Sequence, residues 1–129
     1  MNLVAMVFAI FAALLHVFIF YMESISWTSE KTRSTFGMSE EAAENTKEMA
    51  FNQGFYNLFL AIEVFAGVGL YITGAQGVGL ALMLFGTGSM LAAALLLFVT
   101  SPDKRSAAIK QGTLPLIAVI ALILTMVLY

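Results

Sequence analysis

The chain contains no cysteine, only two prolines, and a single histidine among its 129 residues. Without cysteine there can be no disulfides, thiolate metal sites or cysteine nucleophiles, although this does not fix the compartment. Charge is also scarce, because Asp, Glu, Lys and Arg make up 11%, against about 25% in ordinary globular proteins. The net charge is −2 with no basic block or arm. We therefore expect no nucleic-acid partner.

Apolar residues are abundant instead, at 60%, against about 45–50% in ordinary globular proteins. Glu63 is the only charged side chain inside the long apolar runs. This segmentation is typical of a multispan membrane protein in a lipid bilayer. It predicts an all-α fold, a four-transmembrane-helix bundle. Residues 1–129 would form a single integral membrane domain, with spans at about residues 3–23, 52–73, 78–99 and 113–129.

The first apolar run is long enough to cross the hydrocarbon core, since about 20 residues rising 1.5 Å each span about 30 Å. A signal peptide is the competing interpretation. No Lys or Arg precedes the run and no small-x-small cleavage site follows it, so we expect a retained span. One face carries small residues that let helices approach closely in lipid. That face, which should point into the bundle, contains Ala5, Ala9, Ala12, Ala13, His16, Phe20, Glu23 and Trp27.

The remaining helix boundaries follow from capping and small residues. Ser39 is a candidate N-cap, and Glu40 begins one long helix to about residue 73 that extends from the membrane on the cytoplasmic side. The third span is rich in glycine, which favours close helix packing and a homo-oligomer formed through that span. Thr113 is a candidate N-cap for the fourth span, with Pro115 in its first turn.

The basic residues predict the orientation. Three lie between the first and second spans and three between the third and fourth, whereas the opposite side has none. By the positive-inside rule, loops 24–51 and 100–112 should be cytoplasmic and both termini outside. The six residues are Lys31, Arg33, Lys47, Lys104, Arg105 and Lys110.

Polar side chains at matching depths in the first two spans form the candidate site. Counted inward from one interface, His16 lies near Glu63, and Glu23 lies near the amides of the second span. Burying such groups costs several kcal/mol each unless they have partners. We therefore expect a pocket or hydrogen-bonded seam. The candidate catalytic residues are His16 and Glu23, and the candidate ligand-binding residues are Trp27, Asn52, Gln53, Tyr56, Asn57 and Glu63.

Structural roles compete with each functional role. A neighbouring carbonyl or hydroxyl group would satisfy His16, Glu23 would reach the lipid head groups, and Trp27 would anchor the interface. The amides would join helices. We expect no metal, because His16, Glu23 and Glu63 lie at different depths and lack HxxxH or ExxH spacing. We also expect no cofactor, because no nucleotide-binding fingerprint is present.

Three segments resemble a known family. They are the run from His16 to Glu23, the run from Asn52 to Ala61, and Gln111-Gly112 with Pro115. Together they are similar to small bacterial integral membrane proteins with domain of unknown function 1304. The resemblance implies four transmembrane helices in a bacterial inner membrane and polar motifs on the first two, but no activity. The family pattern has a small residue where this chain has Glu63, which shifts weight to the other candidates.

Three functions are compatible with these features. The first is binding or processing of an amphiphilic, lipophilic small molecule at the polar cluster, with His16 or Glu23 as acid–base. The second is a small proton-coupled transporter in which Glu63 and His16 relay protons. The third is a structural or assembly subunit whose polar residues only join helices. Amides and a phenol suit head-group recognition better than ion conduction, which favours the first.

Overall fold

The computed structural model describes residues 3–129, and the described part of the chain is helical without strands. A π-helical turn, Tyr21–Ile25, continues the first helix, and a 3₁₀ turn, Pro102–Lys104, precedes the last helix. Four of the helices are long and apolar enough to cross a membrane. The all-α prediction is confirmed, and the four long helices match the four predicted spans in length and composition. The helices are α1 Leu3–Phe20, α2 Glu30–Phe36, α3 Glu40–Ile72, α4 Gln76–Thr100 and α5 Arg105–Leu128.

The four long helices surround one core. α1 and α4 each pack against both α3 and α5, so the helices form a closed ring in chain order. The short α2 lies outside this ring, at the end of the bundle that contains residues 26–39 and 101–104, called here the polar end. The core holds mostly small side chains with a few larger ones, namely Val64, Met83, Met90 and Leu122. The predicted inward face of α1 is confirmed for Ala5, Ala9, Ala12, Ala13 and His16, which are all buried, whereas the later members Phe20, Glu23 and Trp27 are only half-buried.

The long second helix is also confirmed in its extent. α3 begins at Glu40, and the Ser39 hydroxyl accepts a 3.1 Å hydrogen bond from the Ala42 amide. The first-turn carboxylates suit the positive end of the helix dipole. α3 ends at Ile72, where a tight turn containing Gly74 with a φ of +108° leads into α4.

Two glycines of α4 lie in close contact with α3 inside the bundle. A Cβ on Gly79 would lie 2.6 Å from the Gly67 carbonyl oxygen, and one on Gly86 would lie 2.6 Å from Val64 Cγ2. The backbones of α3 and α4 therefore meet where no side chain fits. Gly88, by contrast, has open space around it. A homo-oligomer formed through the third span stays a prediction.

The segment after α1, which the sequence predicts as part of the loop 24–51, contains the short helix α2. The Ser29 side chain caps it by accepting from the Thr32 amide at 3.3 Å. The Trp27 ring packs on Phe36 with centroids 5.1 Å apart, and its Nε1–H donates to Thr46 Oγ1 at 3.1 Å. Trp27 therefore connects α2 to α3, in addition to any role at the membrane interface.

The predicted start of the fourth helix is wrong. α5 begins at Arg105, so Thr113 is not its N-cap but lies inside it, donating to the Ile109 carbonyl at 2.7 Å. Pro115 is buried in the helix interior and removes the donor that would bond the Gln111 carbonyl. Residues 106–112, predicted as part of the loop 100–112, are instead helical, and Gly112 among them packs on α4, where a Cβ would lie 2.9 Å from Ala94 Cβ.

Candidate functional site

Glu23 lies in the middle of the π-helical turn that ends the first span. Its carboxylate Oε1 accepts a 2.5 Å hydrogen bond from Asn57 Nδ2 on α3. The same amide group also donates to the Gln53 carbonyl at 3.2 Å. Single π-helical turns frequently mark functional positions. Of the predicted site residues, Glu23 and Asn57 are the pair whose side chains the structure joins by a hydrogen bond.

Small residues on α3 position this pair. Ser24 packs against Gly54 so closely that a Cβ there would lie 3.0 Å from the Ser24 nitrogen. Its hydroxyl donates to the Phe51 carbonyl at 2.7 Å. Ala61 is buried on the same face of α3 as Gly54. The sequence of α3 therefore brings its glycine and alanine face, rather than its polar face, against α1.

This orientation overturns part of the predicted pocket. Positions 52 and 56 are each two residues from Gly54, which is about 200° around a helix, so they point away from α1. Asn52 and Gln53 are exposed, and Tyr56 is 68% exposed. The predicted seam of amides and phenol facing α1 is wrong for these three side chains. Asn57, half-buried, is the amide that turns inward.

The predicted contact between His16 and Glu63 is not formed either. His16 is 3% exposed, and its Nδ1 lies 2.8 Å from the Ala12 carbonyl oxygen on its own helix. Because a carbonyl only accepts, Nδ1 is the donor. Within residues 3–129 no hydrogen bond or ion pair joins His16 to the half-buried Glu63. The structural alternative for His16, a carbonyl partner, is the one the geometry matches.

A cavity of about 420 Å³ lies beside Glu23 at the polar end. We call it the Glu23 cavity. Three carboxylates and one ammonium group line it, together with one indole and one phenyl ring. In the part of the chain that the structure describes, Glu23 forms no ion pair. The lining residues are Glu23, Ser24, Ile25, Trp27, Thr28, Glu44, Lys47, Glu48 and Phe51.

Sequence reasoning missed several of these lining residues. Glu44 and Glu48 are one turn apart on α3, so helical spacing alone puts them on one face. That face could have been found by following the acidic residues toward the start of α3, outside the apolar run. Of the predicted ligand-binding residues, only Trp27 lines this cavity. Asn52 and Tyr56 line a separate open groove of about 660 Å³ with Phe51, Phe55 and Phe59.

The described side chains offer no converging metal site. Among residues 3–129, no three His, Asp or Glu side chains are close enough to share an ion.

Aromatic rings near the site contact one another between α1 and α3. Phe20 of α1 meets Phe55 of α3 edge-to-face, with centroids 5.1 Å apart. This contact lies deeper than Glu23 and closes the space between the two helices.

Comparison with known proteins gives one match. A family model described as protein of unknown function, DUF1304, matches residues 10–123, which is most of the chain. This range includes Glu23, Asn57 and most of all four long helices. No curated protein and no solved structure matches significantly.

Proposed function

The chain belongs to the DUF1304 family of proteins of unknown function, and from the geometry around Glu23 we propose that it is a membrane protein that binds an amphiphilic small molecule. The head group would occupy the Glu23 cavity and the tail would leave it for the bilayer. Ile25 and Phe51, both exposed apolar residues of the cavity lining, support an exit of this kind. The cavity is of the size that accepts small ligands.

The carboxylate of Glu23, which has no Lys or Arg partner among the described residues, is the observation that carries this proposal. An ionised side chain at the end of a span is costly unless a partner compensates it. Asn57 supplies one neutral hydrogen bond, and no Lys or Arg of the described chain pairs with Glu23. Since Glu44 and Glu48 add two more carboxylates against Lys47 alone, the cavity favours a cationic head group, such as an amine. Trp27 adds an aromatic ring of the kind that attracts such cations.

The geometry supports binding of the small molecule more than its chemical conversion. A catalytic role for His16 would require contact with the ligand, but His16 is buried and does not line the Glu23 cavity. Glu23 is the one predicted acid–base residue that lines the cavity.

The distribution of basic residues supports a cytoplasmic position for the polar end and therefore for the cavity. The inner membrane of a bacterial cell is the corresponding location.

The single tryptophan makes binding measurable, because Trp27 lines the cavity and the chain has no other indole. The protein in nanodiscs would be titrated with an alkyltrimethylammonium amphiphile below its micelle concentration. We expect a saturable change in emission, weakened about tenfold in Glu23→Gln, because the Coulomb attraction between the carboxylate and the quaternary ammonium group is lost. Glu63→Gln is the matched control, since Glu63 is a carboxylate outside the cavity, and should bind as the unmodified protein does.

The charge of the amphiphile decides the outcome. An alkyl sulfate of the same chain length should give no saturable change. Equal responses to both amphiphiles, or equal binding by Glu23→Gln, would contradict the proposal. A saturable response with the cation that is unaffected by Glu63→Gln would support it.

The structural-subunit alternative also has a specific observation in its favour. The Glu23–Asn57 and Ser24–Phe51 hydrogen bonds both join the end of the first span to α3. If Glu23→Gln lowers thermal stability and no cationic amphiphile binds the unmodified protein, this alternative is the better one.

The transporter alternative stays a prediction, and its test is proton-gradient-dependent flux in liposomes that vanishes in Glu63→Gln.

A further inference from the structure

A second, independent cavity of about 270 Å³ lies between α4 and α5. We call it the α4–α5 cleft. It does not share residues with the Glu23 cavity, and its lining is almost wholly apolar. The lining residues are Leu91, Ala94, Leu95, Phe98, Ala108, Ile109, Gly112, Thr113 and Leu116.

The cleft is a narrow slot because its floor is made of small residues. Ala94 and Ala108 are nearly fully buried, and Gly112 lies so close to Ala94 that no side chain fits between them. The walls are larger and exposed, with Leu95 and Ile109 each more than half accessible. A slot with a floor of small residues and apolar walls, on helices long and apolar enough to cross a bilayer, suits a hydrocarbon chain.

The one polar group in the lining offers little to a ligand. The Thr113 hydroxyl donates its hydrogen to the Ile109 carbonyl at 2.7 Å. The hydroxyl proton is therefore used within α5. The slot itself selects for an apolar chain, and any polar recognition must come from its end.

Arg105 supplies that recognition. Its Nε–H donates to the Phe98 carbonyl at 3.0 Å, and its guanidinium carbon lies 4.8 Å from the centre of the Phe98 ring. Because Phe98 lines the cleft, these two contacts hold the cation beside the cleft at the polar end. Within the described residues Arg105 has no carboxylate partner, so guanidinium donors besides Nε remain for a ligand.

The charged side chains around Arg105 are mostly basic. Residues 101–112 contain Lys104, Arg105 and Lys110 against the single carboxylate of Asp103. Basic pockets between membrane helices bind phosphate-bearing lipid head groups. A guanidinium group matches a phosphate through paired hydrogen bonds. The charge at the end of the slot therefore complements an anionic head group.

We propose that the α4–α5 cleft binds an anionic phospholipid, with one acyl chain in the slot and the phosphate on Arg105. This site is separate from the Glu23 cavity in position and in charge, because that cavity is lined by more carboxylates than cations. The proposal shares with the proposed function only the membrane location and does not depend on ligand binding in the Glu23 cavity. A membrane lipid is the ligand class, since both the apolar slot and the cation are needed for binding.

The test uses the full chain purified in a zwitterionic detergent and supplied with phosphatidylglycerol or phosphatidylcholine of equal chain length. Lipid retention would be measured by native mass spectrometry and thermal stability by the loss of helical signal. We expect preferential retention of phosphatidylglycerol and a higher melting temperature with it. Arg105→Gln should lose this preference about tenfold, as expected for a lost charge-assisted hydrogen bond. Arg33→Gln, a matched cation on α2, should keep it.

A second variant tests the slot without touching the cation. Thr113→Phe adds a ring from the exposed rim of the cleft, so it should reduce phosphatidylglycerol retention while leaving the fold intact. Inorganic phosphate, which has no acyl chain, should not raise the melting temperature of the unmodified protein. Equal losses in Arg105→Gln and Arg33→Gln, or full retention in Thr113→Phe, or an equal effect of inorganic phosphate, would each overturn the proposal.

Discussion

The carboxylate of Glu23 and the side-chain amide of Asn57 are joined by a 2.5 Å hydrogen bond across 34 residues of sequence. One partner lies in the π-helical turn after α1 and the other on α3. The bond therefore fixes the rotation of the two helices relative to each other at the polar end. It also holds Glu23 at the wall of the Glu23 cavity. Stability and the proposed binding are coupled at this point.

Asn57→Ala should lower the free energy of unfolding by about 1–3 kcal/mol, the usual cost of leaving a half-buried polar partner unsatisfied. Equilibrium unfolding in mixed micelles, followed by helical circular dichroism, would measure it. Asn52→Ala is the matched control, because Asn52 is an exposed amide on the same helix, and should change stability by no more than about 0.5 kcal/mol.

The same pair gives a stricter check. When Glu23→Gln is already present, Asn57→Ala should cost less, because an unpaired neutral amide is cheaper than an unpaired carboxylate. If Asn57→Ala costs the same in both backgrounds, the hydrogen bond is not what stabilises this contact.

Gly54 tests the close approach of the π-helical turn to α3. A methyl group there would meet Ser24 at its Oγ, Cβ and backbone nitrogen, and relieving the clash would break the Ser24–Phe51 hydrogen bond. Gly54→Ala should therefore destabilise the protein by about 1–3 kcal/mol, the usual cost of overpacking. The melting temperature in detergent would report it.

Gly69→Ala is the control for Gly54→Ala, since both glycines lie inside α3 and Gly69 has nothing within 4 Å of an added methyl group. Its only effect is on helix propensity, which should raise stability by about 0.5–1 kcal/mol. Equal losses of stability in the two variants would mean that the loss in Gly54→Ala does not come from the contact with Ser24.

Gly79 lies directly against the backbone of α3. A methyl group there would lie 2.6 Å from both the Gly67 carbonyl oxygen and the Tyr71 nitrogen, and backbone atoms cannot rotate away. Gly79→Ala should cost about 3 kcal/mol, the upper end of overpacking. Gly88→Ala, on the same helix but with open space around it, should be neutral or stabilising in the same thermal assay. Equal melting temperatures for the two variants would contradict this packing.

The sequence predicted the inward face of α1 because polarity and small side-chain size favour the same face there. Ala9, Ala13 and His16 share one face, and no competing face of that helix carries small residues. In α3 the two signals conflict. Polarity favours Asn52 and Tyr56 as the inward face, whereas small size favours Gly54 and Ala61. Close packing in lipid depends on size, so the small face is inside and the predicted site was partly misplaced.

Two further differences have similar physical causes. Hydropathy detects where a helix enters lipid, but it cannot detect helical turns that lie outside, so the start of α5 at Arg105 was missed. The π-helical turn adds a residue to one turn, which no regular 100° spacing can predict. In this turn Ser24 packs against Gly54, and Glu23 accepts a hydrogen bond from Asn57.

The contact between Trp27 and Thr46 determines whether α2 stays attached to α3. Thr46 Oγ1 accepts from the indole at 3.1 Å and donates to the Ala42 carbonyl at 2.7 Å. Thr46→Val removes both bonds but keeps the shape. Because no other side-chain hydrogen bond joins residues 26–36 to α3 in the described chain, amides of α2 should exchange with deuterium faster. Local opening of this kind is lower in free energy than global unfolding.

Thr100→Val separates the lost contact from the lost local bond. Thr100 makes the same kind of bond, donating to the Leu96 carbonyl at 2.7 Å, but it has no indole partner. Hydrogen exchange measured by mass spectrometry should show faster exchange over Glu30–Phe36 in Thr46→Val and unchanged exchange there in Thr100→Val. Since Trp27 also lines the Glu23 cavity, Thr46→Val should weaken binding of the cationic amphiphile without altering any charge. Unchanged exchange and unchanged binding in Thr46→Val would mean that the Phe36 ring alone holds Trp27.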